Sequence, residues 1–284
     1  MKLAIAILRL KYLQIITLLN KKVSMARIIT QKKGAVGIIT ISNPEKMNAM
    51  TLDMWSAIPV AIQSFDADAE VRVIVVSGEG EKAFISGADI SQFDKLRGTA
   101  DAQEQYNQAV TAAYQAPIVC SKPVIASIRG YCFGGGLGFS ASCDIRICSE
   151  DAQFRMPAAR LGLGYSPEGI RRFMSILGPA NTADIFFSAR RFNARDALQM
   201  GFVSKVHPDA DLEKLTMEYA QLISENAPLT VAASKFAIKQ ALLDPELKDL
   251  ERATEMVKIC FASEDYKEGR KAFAEKRTPQ FTGK

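Results

Sequence analysis

Between residues 36 and 206, apolar runs of strand length alternate with stretches of helical spacing, and beyond Pro208 only the helical spacing continues. Val36 to Ile41 and Val71 to Ser77 read as strands, the second apolar except at Arg72, as expected of a strand covered on both faces. Leu52, Trp55, Ile58, Ile62 and Phe65 mark a helix between them, which Pro59 is expected to kink. Further strands are expected at Pro123 to Ile128 and Asp144 to Cys148. A helix is expected from about Asp101 to Ala116, and another from Ser166 to a stop at Gly178. Alternating strands and helices make an α/β fold. After Pro208, Leu212, Leu215, Tyr219, Leu222 and Ile223 form one helical stripe. Helices around Thr230 to Leu243, Glu246 to Ala262 and Asp265 to Lys276 follow, so a subdomain boundary is expected near residue 208.

Charge narrows the function classes. The net +5 comes from Lys2, Arg9, Lys11, Lys21 and Lys22 in an acid-free first 24 residues, and the remainder balances at 31 basic against 31 acidic side chains. A neutral body has no general footprint for nucleic acid. In residues 1–24 the longest apolar run, Leu3 to Leu8, is far short of the roughly 20 residues that span a membrane. The stretch reads as a basic leader, an organellar targeting segment or residues ahead of a functional start at Met25. Five cysteines without a CxxC pair suit reduced thiols in a cytoplasm-like compartment. A single histidine, His207, leaves no multi-histidine metal site and argues against a Ser-His-Asp triad; before Pro208 it reads as a turn residue.

Two segments carry chemistry. Phe84-Ile85-Ser86-Gly87-Ala88-Asp89-Ile90 is a small-residue loop that lets a ligand approach the backbone, or simply a tight turn. Gly130-Tyr131-Cys132-Phe133-Gly134-Gly135-Gly136-Leu137-Gly138 follows a strand and leads into a short helix, where free N–H groups and the helix dipole favour an anion. Gly136, Gly138 and Ala141 also fit a GxGxxA dinucleotide pattern, with Glu150 or Asp151 as ribose ligand, which keeps an NAD(P)-dependent oxidoreductase as a remote alternative.

Together with Asn43-Pro44, Asn48-Ala49, Lys122 to Ala126, Cys143-Asp144-Ile145-Arg146 and Ala194 to Val206, these loops resemble the enoyl-CoA hydratase/isomerase (crotonase) family over about residues 27 to 280. The resemblance implies a crotonase-like (ClpP/crotonase) spiral core of ββα units over 25–208. It also implies a helical C-terminal oligomerisation subdomain over 209–284, in a homotrimer or dimer of trimers. Its chemistry passes through a thioester enolate whose oxygen meets two backbone amides, here those of Ala88 and Gly135. Ala88, Asp89, Ile90 and Ser91 are then expected to line the coenzyme A path, and Lys46, Lys276 and Arg277 are candidate phosphate contacts unless they are ordinary solvated surface. The substrate is an acyl-CoA; neither metal nor redox cofactor is implied, coenzyme A being part of the substrate.

The sequence departs from the family at the acid and base. Hydratases carry one glutamate two residues after the GGG run and another after the AQF-x-x-P segment; those positions are Gly138 and Ala158. Such groups typically contribute about 10² to 10⁴-fold in rate, so hydration does not follow from the resemblance alone. Glu168 is a candidate replacement, or an acidic first-turn residue behind an N-cap at Ser166 and Pro167. Tyr131, Cys132 and Tyr165 are further polar groups near the expected pocket, and Arg155 and Arg160 have the charge to pair with Glu168 or with a carboxylate on the acyl group. The leading expectation is a lyase or isomerase of acyl-CoA thioesters; the alternative is a non-catalytic acyl-CoA-binding paralogue or assembly subunit.

Overall fold

The computed structural model describes residues 26–89 and 100–284. Its first element is a hairpin in which β1 (Arg27–Lys33) and β2 (Val36–Ser42) pair antiparallel, Lys33 opposite Val36, around the tight turn at Gly34 and Ala35. Thr51 then caps α1 (Leu52–Ala67), its side chain accepting from Met54 N at 3.2 Å. This helix continues through Pro59 without a break.

A repeating unit follows. β3 (Val73–Gly78) joins the sheet of β2, the chain turns into the three-residue β4 (Ala83–Ile85), and α2 (Ala100–Val119) comes after it. The same succession recurs as β5 (Val124–Ile128), β6 (Tyr131–Phe133) and α3 (Gly135–Ser140), then as β7 (Ile145–Ser149), β8 (Gln153–Arg155) and α4 (Pro167–Ser188). Long strands of successive units pair with one another, and so do the short ones. With β9 (Arg191–Asn193), α5 (Ala194–Gln199) and β10 (Lys205–His207), two sheets result: β1-β2-β3-β5-β7-β10 and β4-β6-β8-β9. This is the spiral of ββα units that the family resemblance implies.

Alternation of side chains across the strands divides the core. Ile74 and Val76 of β3 face a large core holding Trp55, Phe84, Phe139, Phe154 and Phe173, whereas Val73 and Val75 face a second cluster with Ile125 and Ile147. That second cluster is closed by Leu212 and Ala220 of α6 (Leu212–Ser224), so this helix covers the outer face of the long sheet. β5 is buried at all five positions between the two layers. Helices α7 (Pro228–Ala241), α8 (Leu250–Ala262) and α9 (Glu264–Glu275) complete the chain. No helix among the described residues is long and apolar enough to cross a membrane.

Candidate functional site

The topology brings the two glycine-containing loops together. β4 and β6 are parallel neighbours, Ala83 opposite Tyr131 and Ile85 opposite Cys132, so the chain leaves both strands at the same edge. After β4, Met50 clamps the peptides on either side of Ala88: Met50 N donates to Gly87 O and Asp89 N to Met50 O, each at 2.9 Å. The parallel bridge takes up those groups and leaves the N–H of Ala88 itself outside the pairing. After β6, Gly134 adopts φ 51°, ψ −110°, a conformation that glycine reaches without Cβ strain, and its N–H donates to Arg155 O at 2.9 Å. Gly135 is then the first residue of α3, where no helical carbonyl precedes its amide. Neither the Ala88 nor the Gly135 N–H has an acceptor among the described residues.

Close packing fixes the second loop. A Cβ on Gly136 would stand 2.4 Å from Ile85 O, and one on Gly135 3.0 Å from the Trp55 ring. Tyr114 Oη of α2 donates to Gly135 O at 3.0 Å. Beside Ala88 opens a cleft of about 500 Å³, walled by Lys46, Met47, Asp89, Tyr131, Phe133 and Arg191.

The residues singled out by sequence fall in different places. Ala88, Asp89 and Lys46 share the cleft, with Asp89 buried and its carboxylate 2.8 Å from the Lys46 ammonium. Ile90 and Ser91 lie outside the described residues. Lys276 is the left-handed C-cap of α9, and Arg277 beside it is held by Glu268 and Glu275 at 2.6 and 2.7 Å. Hydrogen bonds from Arg277 and from Gln280 N lower the Glu268 carboxyl to about 2. Glu168 is exposed in the first turn of α4, behind Pro167, with Ser166 Oγ accepting from Gly169 N at 3.1 Å. Arg155 Nε is spent on Ala189 O at 2.8 Å, and Arg160 is exposed at the end of a short 3-10 turn. Gly138 and Ala158 are both buried.

Three groups escaped the sequence reading because only tertiary pairing brings them in. Arg191 of β9 places its guanidinium 5.5 Å from the Phe133 ring centroid and 6.0 Å from that of Tyr131 at the cleft. Tyr114 of α2 bonds Gly135 O at the start of α3, and Arg172 of α4 stacks on the Tyr114 ring. The four buried thiols are poor nucleophiles: burial pushes Cys120, Cys143 and Cys148 up to about 12 and Cys132 higher still. Among the described residues, no three His, Cys, Asp or Glu side chains gather as a metal site.

The family model described as enoyl-CoA hydratase/isomerase matches residues 31–284. The chain belongs to the enoyl-CoA hydratase/isomerase family. Among its relatives is the short-chain enoyl-CoA hydratase of Clostridium acetobutylicum, 33% identical over 250 residues that span 88% of this chain and 95% of that protein. The crotonyl-CoA hydratase of Syntrophomonas wolfei is 29% identical, covering 90% of this chain and 98% of that one. Among solved structures, an enoyl-CoA hydratase/carnithine racemase from Magnetospirillum magneticum superposes with a TM-score of 0.85 at 32% identity, over 90% of this chain and 96% of its own. Membership of the enoyl-CoA hydratase/isomerase family thus rests on both sequence and fold.

Proposed function

We propose that the chain binds an acyl-coenzyme A thioester in the cleft beside Ala88 and sets the thioester oxygen between the N–H groups of Ala88 and Gly135. The enolate formed there would be turned over in a lyase or isomerase reaction. One observation carries the reading: at the shared edge of two parallel strands, two amides stand without acceptors of their own, in a chain of this family. Charge that develops on an enolate oxygen is stabilised most by donors fixed beforehand in a site shielded from water, and one such donor is worth about 10² to 10³ in rate. Arg191 in the cleft wall supplies positive charge for the coenzyme A phosphates, Lys46 beside it being shared with Asp89, and Tyr131 and Phe133 supply aromatic surface. Lys276 and Arg277 stay second-rank phosphate candidates, Arg277 being committed to Glu268. No metal or redox group is required by this chemistry.

A second reading has its own support. Gly138 and Ala158 stand where hydratases of the family carry glutamates, which suits an acyl-CoA-binding paralogue or assembly subunit without turnover. Purified protein incubated with crotonyl-CoA, and with a panel of other thioesters, separates the two when loss of reactant is followed beside calorimetric binding. Turnover of any panel member supports the enzyme; binding with no turnover supports the paralogue. Failure of every thioester to bind removes both.

A further inference from the structure

The space that a side chain at position 138 would need is filled by two phenol hydroxyls. A Cβ on Gly138 would lie 2.6 Å from Tyr114 Oη and 2.9 Å from Tyr165 Oη, so two phenol hydroxyls surround one point. Each is held from behind. Tyr114 is fixed by its bond to Gly135 O and by the edge of the Trp55 ring at 5.8 Å. The Tyr165 ring folds over Gly169, where a Cβ would sit 2.4 Å from it, and meets Phe186 and Phe173 edge-on at 5.0 and 6.3 Å. Its hydroxyl has no hydrogen-bond partner among the described residues. Burial raises the Tyr165 phenol to about 12 and holds that of Tyr114 well above its ordinary value, so both stay protonated at neutral pH; the Tyr114 proton is spent on Gly135 O, which leaves Tyr165 as the phenol that can donate to a ligand.

Arg172 completes the group. Its guanidinium stacks 5.6 Å from the Tyr114 ring centroid, with Tyr165 and Cys143 in its field. It makes no ion pair or hydrogen bond with any described residue, although it is only partly exposed. A cation drawn partly out of water and stacked on one ring is under-compensated. A guanidinium beside the Tyr165 O–H is matched by a carboxylate, which accepts from both, while the Tyr114 ring serves as the platform on which the guanidinium stacks.

We infer that Tyr165 and Arg172, the latter stacked on the Tyr114 ring, form a recognition subsite for a carboxylate carried on the acyl group, so that the chain takes coenzyme A thioesters of short dicarboxylic acids. The inference rests on the reading that Gly135 holds the thioester oxygen. At about 1.5 Å rise per residue, Gly138 lies some 4.5 Å along α3 from Gly135, which suits a carboxylate two or three bonds beyond the thioester carbon. The expectation that a cation meets an acyl carboxylate is thereby moved from Arg155, which is spent on Ala189 O, to Arg172.

Calorimetric titration of the whole protein with succinyl-CoA, malonyl-CoA, butyryl-CoA and free coenzyme A tests this. Succinyl-CoA or malonyl-CoA is expected to bind at least about tenfold more tightly than butyryl-CoA, a difference of the size that a charge-assisted hydrogen-bonded pair produces. Arg172→Gln should bring those dissociation constants together. Tyr165→Phe, which keeps the ring packing, should narrow the gap about threefold or more, and it serves as the test if Arg172→Gln does not fold. Equal or tighter binding of butyryl-CoA by the unaltered protein would overturn the subsite while leaving the acyl-CoA reading intact. So would a preference that survives in a folded Arg172→Gln, or in Tyr165→Phe where it stands in. Absence of binding by all four ligands would overturn that reading and the subsite with it.

Discussion

Tyr114 and Tyr165 bring their hydroxyls to one point beside Gly138, and this governs what a substitution there can do. Gly138→Glu, which puts there the glutamate that the family resemblance led one to expect, places its Cβ against two phenols that are themselves backed by Trp55 and Phe186. Overpacking of this kind costs about 1–3 kcal/mol. Gly138→Glu is therefore expected to lower the denaturant midpoint and to leave crotonyl-CoA hydration no faster than before; a stable, faster variant would show that the phenols yield easily. The thiols give a pH expectation. Burial holds Cys120, Cys143 and Cys148 near 12, above the ordinary value of 9.0 that they regain on unfolding. A raised native pKa stabilises the fold fully below the unfolded value and is lost as pH rises through the native one. Urea midpoints should accordingly fall between about pH 9 and 12, and a flat profile across that window would contradict the burial. At this scale motif spacing was local enough to single out the two glycine-containing loops, which leave the sheet at one edge. The sequence was silent on Tyr114 and Arg172, because nothing in their own neighbourhoods marks them and their meaning depends on which helices pack beside α3.

Among the elements, legibility followed length. The long strands β2, β3, β5 and β7 announce themselves by apolar runs, since each is covered on at least one face and β5 on both. The second sheet was implied by the family resemblance and not marked by the residue pattern: β4, β6, β8 and β9 have three residues each, too few for any period to show. Yet that sheet sets the two amide-bearing loops side by side. The expected helix stop at Gly178 appears as a break inside α4, where Gly178 takes φ 70°, ψ 170° and helix resumes at Pro179. A Cβ there would touch nothing within 4 Å, so the glycine is needed for its backbone conformation and not for space. Gly178→Ala should thus destabilise the protein by about 1–3 kcal/mol, the range for a side chain forced into a sparsely populated region. Chemical denaturation measures it; an unchanged or higher midpoint would mean that the break relaxes into continuous helix. The start of the same helix is held by Ser166, whose cap also fixes where Tyr165 leaves the chain.

For the whole molecule, the apolar surface of the last helices asks for a cover. Phe273 is 87% exposed and Phe261 62% exposed, and with Val257 and Tyr266 they border a groove of about 780 Å³ between α7, α8 and α9. Isolated exposed apolar residues are ordinary, but a contiguous set around a groove marks a contact surface. The family resemblance assigns these helices to self-association, and closed symmetric assemblies bury the same patch on every copy. The chain is therefore expected to run in light scattering at three or six times its own mass. Phe273→Asp places a charge on the most exposed of these rings, where burial without a partner is costly. It should shift the assembly to smaller species while the far-ultraviolet circular dichroism of the monomer is retained, because this side chain contributes almost nothing to the core of its own subunit. A monomer in the unaltered protein, or an assembly indifferent to Phe273→Asp, would place the contact elsewhere and leave the groove without a role in association.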